Sequence, residues 1–200
     1  MPQLVAENLV LQRGFTRLFG DLSFSAGNGQ ILWLQGPNGA GKTSLLRALA
    51  GLLPYDGNII WENADIQSDM AAYMRGISWL GYADGVRGEL TVLENVEFLG
   101  GAGDVMAALH YFGLENFLEV PARFLSAGQR KRIALAALWM QQQKPLWLLD
   151  EPLAHLDESA AKQLSSLLSA RQKNGLITVL ASHQPLPGLK CDILSLGAQG

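Results

Sequence analysis

Eight consecutive residues, Gly-Pro-Asn-Gly-Ala-Gly-Lys-Thr over positions 36–43, place glycines, one lysine and one hydroxyl in a fixed order. Glycines let a backbone curl around an anion with its N–H groups pointing inward, and the lysine adds a positive charge. Residues 31–35 before this loop are apolar, as in a buried strand, and residues 44–50 after it have a helical pattern that Gly51 and Pro54 close. Strand, loop and helix in this order predict a nucleoside triphosphate site at the helix N-terminus.

The same loop predicts roles for single side chains. Lys42 is expected to contact the β- and γ-phosphates, and the Thr43 hydroxyl to hold Mg²⁺. The residues of this segment predicted to bind the nucleotide are Gly36, Pro37, Asn38, Gly39, Ala40, Gly41, Lys42, Thr43 and Ser44.

A second segment, residues 145–152, is an apolar strand that ends in two carboxylates. Open α/β sheets bind ligands at the carboxyl ends of their strands, so Asp150 and Glu151 are expected beside the phosphate loop. Asp150 is predicted to hold Mg²⁺, directly or through water, and Glu151 to act as general base on the attacking water. Such a strand is common by itself, and the phosphate loop makes the interpretation specific.

A third segment, Leu-Ser-Ala-Gly-Gln over residues 125–129, has the composition of a loop that opens a helix. Its small residues leave backbone N–H groups open to an anion, and Ser126 also suits an ordinary helix N-cap. The basic run Arg130-Lys131-Arg132 follows. It is either a solvated helix face or the neighbour of a phosphate, because positive charge in a first helical turn opposes the helix dipole.

Strand and helix patterns alternate around these segments. Thr91 followed by Glu94 predicts a capping box, and Glu62-Asn63 has the composition of a hairpin tip. Strands are predicted at residues 4–11, 18–24, 58–61, 77–81, 146–149, 176–181 and 192–196, and helical patterns at 44–50, 91–117, about 129–141 and 159–172. This order predicts an α/β domain with a mostly parallel sheet, an antiparallel β edge and a helical subdomain.

Length and composition narrow the class of protein. A chain of 200 residues, 48% hydrophobic and 16% charged, suits one globular domain with a subdomain, and its formal charge of −3 argues against a general nucleic-acid surface. No apolar run approaches the roughly 18 residues of a membrane helix, and a secretory signal pattern is missing, so we expect a cytoplasmic protein. Cys191 is the single cysteine, which excludes an intramolecular disulfide and disfavours a cysteine-based metal site.

Residues 125–129 resemble the Leu-Ser-Gly-Gly-Gln signature of ATP-binding cassette (ABC) ATPases. The order of motifs is similar too: phosphate loop, signature, acid strand, a D-loop over residues 154–157 and a switch-histidine strand over residues 181–183. The resemblance covers essentially the whole chain and implies ATP and Mg²⁺ as cofactors. It implies a P-loop NTPase fold in which residues 1–200 form one ABC ATPase domain, with a core of about residues 1–82 and 145–200 and a helical subdomain of about residues 91–140.

In that family two subunits pair head to tail, and each ATP lies between one subunit's phosphate loop and the other's signature. The resemblance therefore implies a homodimer whose trans ATP contacts come from the signature residues Ser126, Ala127, Gly128 and Gln129. It also implies that His183, with Glu151, is catalytic through a contact to the γ-phosphate, and that Asp157 belongs to the D-loop. His155 and His110 are given no functional role.

Two positions depart from the family pattern. Arg13 falls where many members place an adenine-stacking aromatic, so either its guanidinium or Phe15 is expected to contact the base. Ala83 stands where the family has a glutamine that senses Mg²⁺ and the attacking water and links the site to the membrane partner. Either turnover is slow, or the coupling uses other residues.

Longer stretches, at residues 18–24, 125–136, 145–152 and 183–186, resemble the ATP-binding subunits of the haem exporter in bacterial cytochrome c maturation. This branch implies a peripheral protein on the cytoplasmic face of the inner (plasma) membrane, docked on the exporter's integral membrane permease subunit. The other partners implied are further membrane proteins of cytochrome c maturation and the haem chaperone, with no nucleic acid. ATP hydrolysis would drive haem delivery or the release of the haem-loaded chaperone.

Two alternatives stay open. The motifs say nothing of cargo, so the chain also fits the ATPase subunit of another ABC exporter. It also fits a nucleotide-dependent regulatory module that hydrolyses ATP weakly, as Ala83 would allow. A soluble DNA-repair or translation ATPase of the same superfamily is disfavoured, because those proteins usually have tandem cassettes or long insertions.

Overall fold

A computed structural model describes residues 3–13, 16–186 and 188–197 of the chain. The strands are β1 (Leu4–Arg13), β2 (Thr16–Ala26), β3 (Ile31–Gln35), β4 (Asp56–Trp61), β5 (Ala64–Asp65), β6 (Ile77–Leu80), β7 (Leu146–Asp150), β8 (Ile177–Ala181) and β9 (Asp192–Ser195). The helices are α1 (Lys42–Leu49), α2 (Met70–Gly76), α3 (Val92–Gly100), α4 (Val105–Tyr111), α5 (Ala127–Met140) and α6 (Glu158–Lys173), with short 3₁₀ helices at Glu115–Phe117 and Ala122–Phe124. Within these described ranges, no helix combines the length and apolar character needed to cross a membrane.

Two sheets form the framework of the domain. The first has five parallel strands in the order β6-β7-β8-β3-β9, and the second has four antiparallel strands in the order β2-β1-β4-β5. Every residue of β7 and β8 is buried, which explains their unbroken apolar sequences, because helices or other layers cover both faces of a parallel sheet. All five parallel strands present their carboxyl ends at one edge, where the phosphate loop, Asp150, Glu151 and His183 lie.

Alternate residues of β7 belong to two hydrophobic clusters, one on each face of the parallel sheet. Leu146 and Leu148 pack in the cluster that contains α1 and the inner face of the antiparallel sheet. Trp147 and Leu149 pack in the cluster that contains residues of α3, α4, α5 and α6. Strand β7 is therefore held from both sides, and the carboxylates at its C-terminal end are rigidly placed.

A buried arginine ties α6 to the central strands. Arg171 is 2% exposed, and its guanidinium carbon lies 3.9 Å from the ring centre of Trp147. The guanidinium donates hydrogen bonds to the backbone oxygens of Gln142 and Lys144, which precede β7, and of Ile177 in β8. Burial lowers the pKa of Arg171 to about 9, so the group remains protonated at neutral pH.

Several predicted local features are confirmed. Glu62 and Asn63, between β4 and β5, have φ angles of 50° and 69°, as a tight hairpin tip requires. The capping box at the start of α3 forms as predicted: Glu94 N donates to Thr91 Oγ1 at 3.2 Å, and Thr91 N donates to Glu94 Oε2 at 2.8 Å.

The helical pattern predicted over residues 91–117 is interrupted in the structure. Helix α3 ends at Gly100, and Gly101 has a φ of 70°, a conformation that suits glycine and stops the helix. Asp104 then starts α4 by accepting a hydrogen bond from Ala107 N at 2.9 Å. Helix α2 was not predicted, because its seven residues are too few to display a helical period.

Candidate nucleotide site

The loop between β3 and α1 is shaped by glycines and held by Lys42. Gly36 has a φ of 155°, and a Cβ atom there would lie 2.3 Å from the backbone oxygen of Leu196. The Lys42 ammonium donates hydrogen bonds to the backbone oxygens of Gly36 at 2.7 Å and Pro37 at 3.1 Å. At the N-terminus of α1, Gly41 offers no capping side chain. The first N–H groups of α1 and the lysine charge therefore lie at the same loop, where an anion can bind.

A buried carboxylate adjoins this loop from β7. Asp150 is 2% exposed, and its Oδ1 accepts a hydrogen bond from Thr43 Oγ1 at 3.1 Å. Burial raises the pKa of Asp150, against the Thr43 hydrogen bond and the charges of Lys131 and Lys42. The second oxygen, Oδ2, is buried with no hydrogen-bond partner among the described residues. A carboxylate and a hydroxyl are oxygen ligands of the kind Mg²⁺ prefers, so the unsatisfied oxygen fits a magnesium site.

The next residue, Glu151, turns out of the strand toward the cleft. Its φ of 46° is in the left-handed region, and its N–H donates to the backbone oxygen of Ala181 at 2.9 Å. Glu151 Oε1 lies 3.5 Å from His183 Nε2, and Oε2 accepts a hydrogen bond from His183 N at 3.3 Å. Trp33 Nε1 fixes the segment before this histidine by donating to the Ser182 oxygen at 2.9 Å. The two predicted catalytic side chains are therefore in contact.

A cleft of about 520 Å³ joins these groups. It is lined by residues 38–44 of the loop together with Asp150, Glu151 and His183, so the structure brings most of the predicted nucleotide and catalytic residues together. Gly36 and Pro37 do not line the cleft, and they contribute through the carbonyls that hold Lys42. The sequence reasoning did not assign nucleotide contacts to four further lining residues, Leu18, Tyr82, Ala154 and His155.

The signature residues lie elsewhere. Ser126, Gly128 and Gln129 line a second cavity of about 370 Å³, which also includes Asp157 and shares His155 with the cleft. Ser126 caps α5: Gln129 N donates to Ser126 Oγ at 3.2 Å, and Ser126 N donates to Gln129 Oε1 at 2.9 Å. The ordinary N-cap that the sequence also suggested is therefore present. The signature does not contribute to the phosphate-loop cleft of its own chain.

Asp157, the predicted D-loop residue, starts α6 and faces the signature helix. Its Oδ1 accepts a hydrogen bond from Ala160 N at 2.9 Å, and its Oδ2 forms an ion pair with Arg132 of α5. The backbone hydrogen bond from Ala160 and the Arg132 charge lower the pKa of Asp157. These contacts join the two helices whose N-termini border the second cavity.

The basic run after the signature is not a solvated face throughout. Lys131 is 3% exposed, and it lines a small cavity together with Tyr82, Ala83 and Asp84. Arg130 instead donates to the Leu125 oxygen at 2.7 Å. Lys131 faces carboxylates of its own chain, which neither interpretation of the sequence foresaw. The adenine prediction for Arg13 or Phe15 concerns side chains outside the described part of the chain.

The family model of ABC transporters matches residues 19–154 of this chain. The cytochrome c biogenesis ATP-binding export protein CcmA of Mannheimia succiniciproducens is 40% identical over 202 residues, covering 97% of this chain and 94% of that protein. The protein of the same name from Escherichia coli strain K12 is 37% identical over 190 residues, with 93% and 91% coverage.

Solved structures with low sequence identity share the fold. The ATP-binding subunit of an ABC transporter superposes with a TM-score of 0.86 at 22% identity, covering 96% of this chain and 85% of that one. A bacterial Atm1-family ABC exporter with ATP bound also gives a TM-score of 0.86, at 21% identity, with all of this chain and 38% of that chain covered. These likenesses confirm the predicted fold class.

Proposed function

Because the chain belongs to the ABC transporter family, and within it to the cytochrome c biogenesis ATP-binding export proteins, we propose that it is the ATP-hydrolysing subunit of the haem exporter in bacterial c-type cytochrome biogenesis. The observation that carries the enzymatic part is the convergence of Lys42, Thr43, Asp150, Glu151 and His183 on one cleft. Haem as cargo is supported by the resemblance of the longer sequence stretches.

Each residue has a role that follows from its position. The loop N–H groups and Lys42 bind the triphosphate, and they are already oriented before it arrives. Thr43 and Asp150 would hold Mg²⁺, which neutralises charge on the phosphates. Glu151 accepts a proton from the attacking water, and His183, in contact with Glu151, orients the γ-phosphate end.

The catalytic unit in this proposal is a homodimer. Ser126, Ala127, Gly128 and Gln129 begin a helix that borders a different cavity from the phosphate loop. A second copy, placed head to tail, would bring this helix start to the other side of the bound ATP. Its N–H groups and the Ser126 hydroxyl would then contact the γ-phosphate.

The proposed location is the cytoplasmic face of the inner membrane. There the chain would dock on an integral membrane permease subunit, with the other membrane proteins of cytochrome c maturation and the haem chaperone as further partners. Hydrolysis would drive haem delivery or the release of the haem-loaded chaperone from the membrane complex.

Glu151→Gln tests the proposal in purified protein. The amide keeps the size of the side chain and removes the base, so we expect ATP binding to persist, an ATP-bound dimer to accumulate, and turnover to fall by about 10²-fold or more. Glu158→Gln, at an exposed position at the start of α6, is the matched control. If Glu151→Gln hydrolysed ATP at the wild-type rate, Glu151 would not be the general base.

The same pair of variants tests the cargo in cells. Cells whose only copy of this gene encodes Glu151→Gln should lose haem-stained c-type cytochromes and retain haem-loaded chaperone in the membrane complex. Cells that carry Glu158→Gln instead should keep wild-type levels of c-type cytochromes. Normal cytochromes in both, with hydrolysis lost in the purified variant, would leave an ATPase that serves another exporter. Weak hydrolysis already in the wild type would favour the regulatory module that Ala83 suggested.

A further inference from the structure

Tyr82 lines the nucleotide cleft together with Glu151. Strands β6 and β7 are parallel, and their pairing ends with Leu80 opposite Leu149, two residues before Tyr82 and Glu151. The Tyr82 side chain is 69% exposed, so packing in the core does not explain an aromatic residue here.

The hydroxyl of Tyr82 is available for chemistry. Within the described part of the chain, no hydrogen bond engages it. A phenol both donates and accepts hydrogen bonds. The next residue, Ala83, has only a methyl group and can offer neither. The polar contribution of this loop to the cleft therefore comes from Tyr82.

We propose that the Tyr82 hydroxyl is a further catalytic residue of ATP hydrolysis, hydrogen-bonded to the attacking water that Glu151 activates. This inference rests on the proposed function. Glu151 takes a proton from that water, and the Tyr82 hydroxyl provides a second hydrogen-bond partner that fixes the position of the water. Two fixed points restrict the orientation of a nucleophile, and this restriction lowers the entropic part of the barrier.

The loop that carries Tyr82 lies beside a buried cation. Lys131 and residues 82–84 line a small cavity of about 170 Å³ at the first turns of α5. Burial lowers the pKa of Lys131, and the carboxylates of Asp84, Asp150 and Glu151 oppose that shift by attracting the ammonium.

Steady-state ATP hydrolysis by the full chain, purified with its membrane partners, tests the role of the hydroxyl. Tyr82→Phe keeps the ring and should lower kcat about tenfold, the value of one hydrogen bond in the transition state, with KM for ATP changed less than about twofold. Adding Ala83→Gln to Tyr82→Phe restores a polar group at the next position and should recover much of the rate. In the Glu151→Gln background, Tyr82→Phe should cause no further loss, because both residues act on one water.

Three results would overturn the inference: an unchanged kcat in Tyr82→Phe, a raised KM with unchanged kcat, or a tenfold loss that persists in the Glu151→Gln background. The comparison also separates this inference from the proposed function. If Glu151→Gln abolishes hydrolysis and Tyr82→Phe does not affect it, the Tyr82 role alone fails. If the wild type does not hydrolyse ATP, the proposed function fails.

Discussion

Asp150→Asn should make the nucleotide-free protein more stable while it removes the response to Mg²⁺ and ATP. The wild-type carboxylate is 2% exposed, and one of its oxygens has no partner among the described residues. Burial raises the pKa of Asp150, which means that folding disfavours the charged carboxylate relative to the protonated acid. Asparagine has nearly the same shape, still accepts the Thr43 hydrogen bond and carries no charge.

The magnitude follows from the charge alone because, within the described ranges, the Nδ2 group of asparagine would still lack a partner at the place of Oδ2. Removing a disfavoured buried charge should add on the order of 1 kcal/mol, since a pKa change of one unit corresponds to about 1.4 kcal/mol. For a chain of this length, that amount raises Tm by about 2–4 °C. In the wild type, Mg²⁺ and ATP at about a hundredfold their Kd should add about 2.7 kcal/mol. The variant should lack most of that addition.

Thermal melts in EDTA, in ATP with EDTA, and in ATP with Mg²⁺ measure both effects. The variant should melt above the wild type in EDTA and shift little when Mg²⁺ and ATP are added. Glu158→Gln is the control, because an exposed carboxylate near Lys162 should change neither melt measurably. A nucleotide-free Tm below that of the wild type, or a full response to Mg²⁺ and ATP, would contradict this prediction.

The sign of the pH dependence gives a second check. An acid with a raised pKa keeps its proton in the folded state after the unfolded chain has released it. The native state then binds more protons, so the Asp150 contribution makes stability fall as pH rises from about 3.8 through the raised folded pKa. Asp150→Asn should lose this component, and its stability should decline less than that of the wild type over the same pH range.

Three further predictions concern the loop and the signature. Lys42→Ala removes the charge held over the loop and should weaken ATP binding by about 10²-fold or more in a calorimetric titration. Gly36→Ala places a Cβ 2.3 Å from the Leu196 oxygen and should lower Tm strongly, whereas Gly197→Ala, with nothing within 4 Å, should not. Ser126→Asp keeps the helix cap and should retain the wild-type Tm, but its charge should prevent the ATP-dependent dimer on size-exclusion chromatography.

Much of the site could be predicted from the sequence because its parts are local. The phosphate loop, the acid strand and their flanking elements are each continuous segments, and the parallel-sheet rule brings the segments to one edge. Asp150, Glu151 and His183 meet in the structure for that reason. The break at Gly101 coincides with the glycine-rich residues 100–103, where the sequence already indicates an abbreviated helix, although the apolar pattern continues on both sides of the turn.

The surroundings of Lys131 and Tyr82 could not be predicted from the sequence, because they depend on which elements become neighbours. A basic run at the start of a helix usually faces solvent, whereas Lys131 is buried and lines a cavity with residues 82–84. Tyr82 follows a short strand, and the pairing of β6 with β7 brings it to the cleft that Glu151 also lines. The departure at Ala83 was the one signal that could have directed attention to this loop.

The two interpretations of Ser126 are compatible, because a hydroxyl has one donor and two acceptor positions. Capping α5 uses Ser126 Oγ as an acceptor from Gln129 N, which leaves its O–H free to donate. The Gln129 side chain accepts from Ser126 N through Oε1, and its amide NH₂ also remains available. The capping box therefore fixes both side chains at the helix start, while the Ser126 O–H and the Gln129 side-chain NH₂ remain able to donate hydrogen bonds to another group. The proposed contact with the ATP of a second subunit needs this arrangement, because donors that are already oriented lose less entropy when they bind an anion.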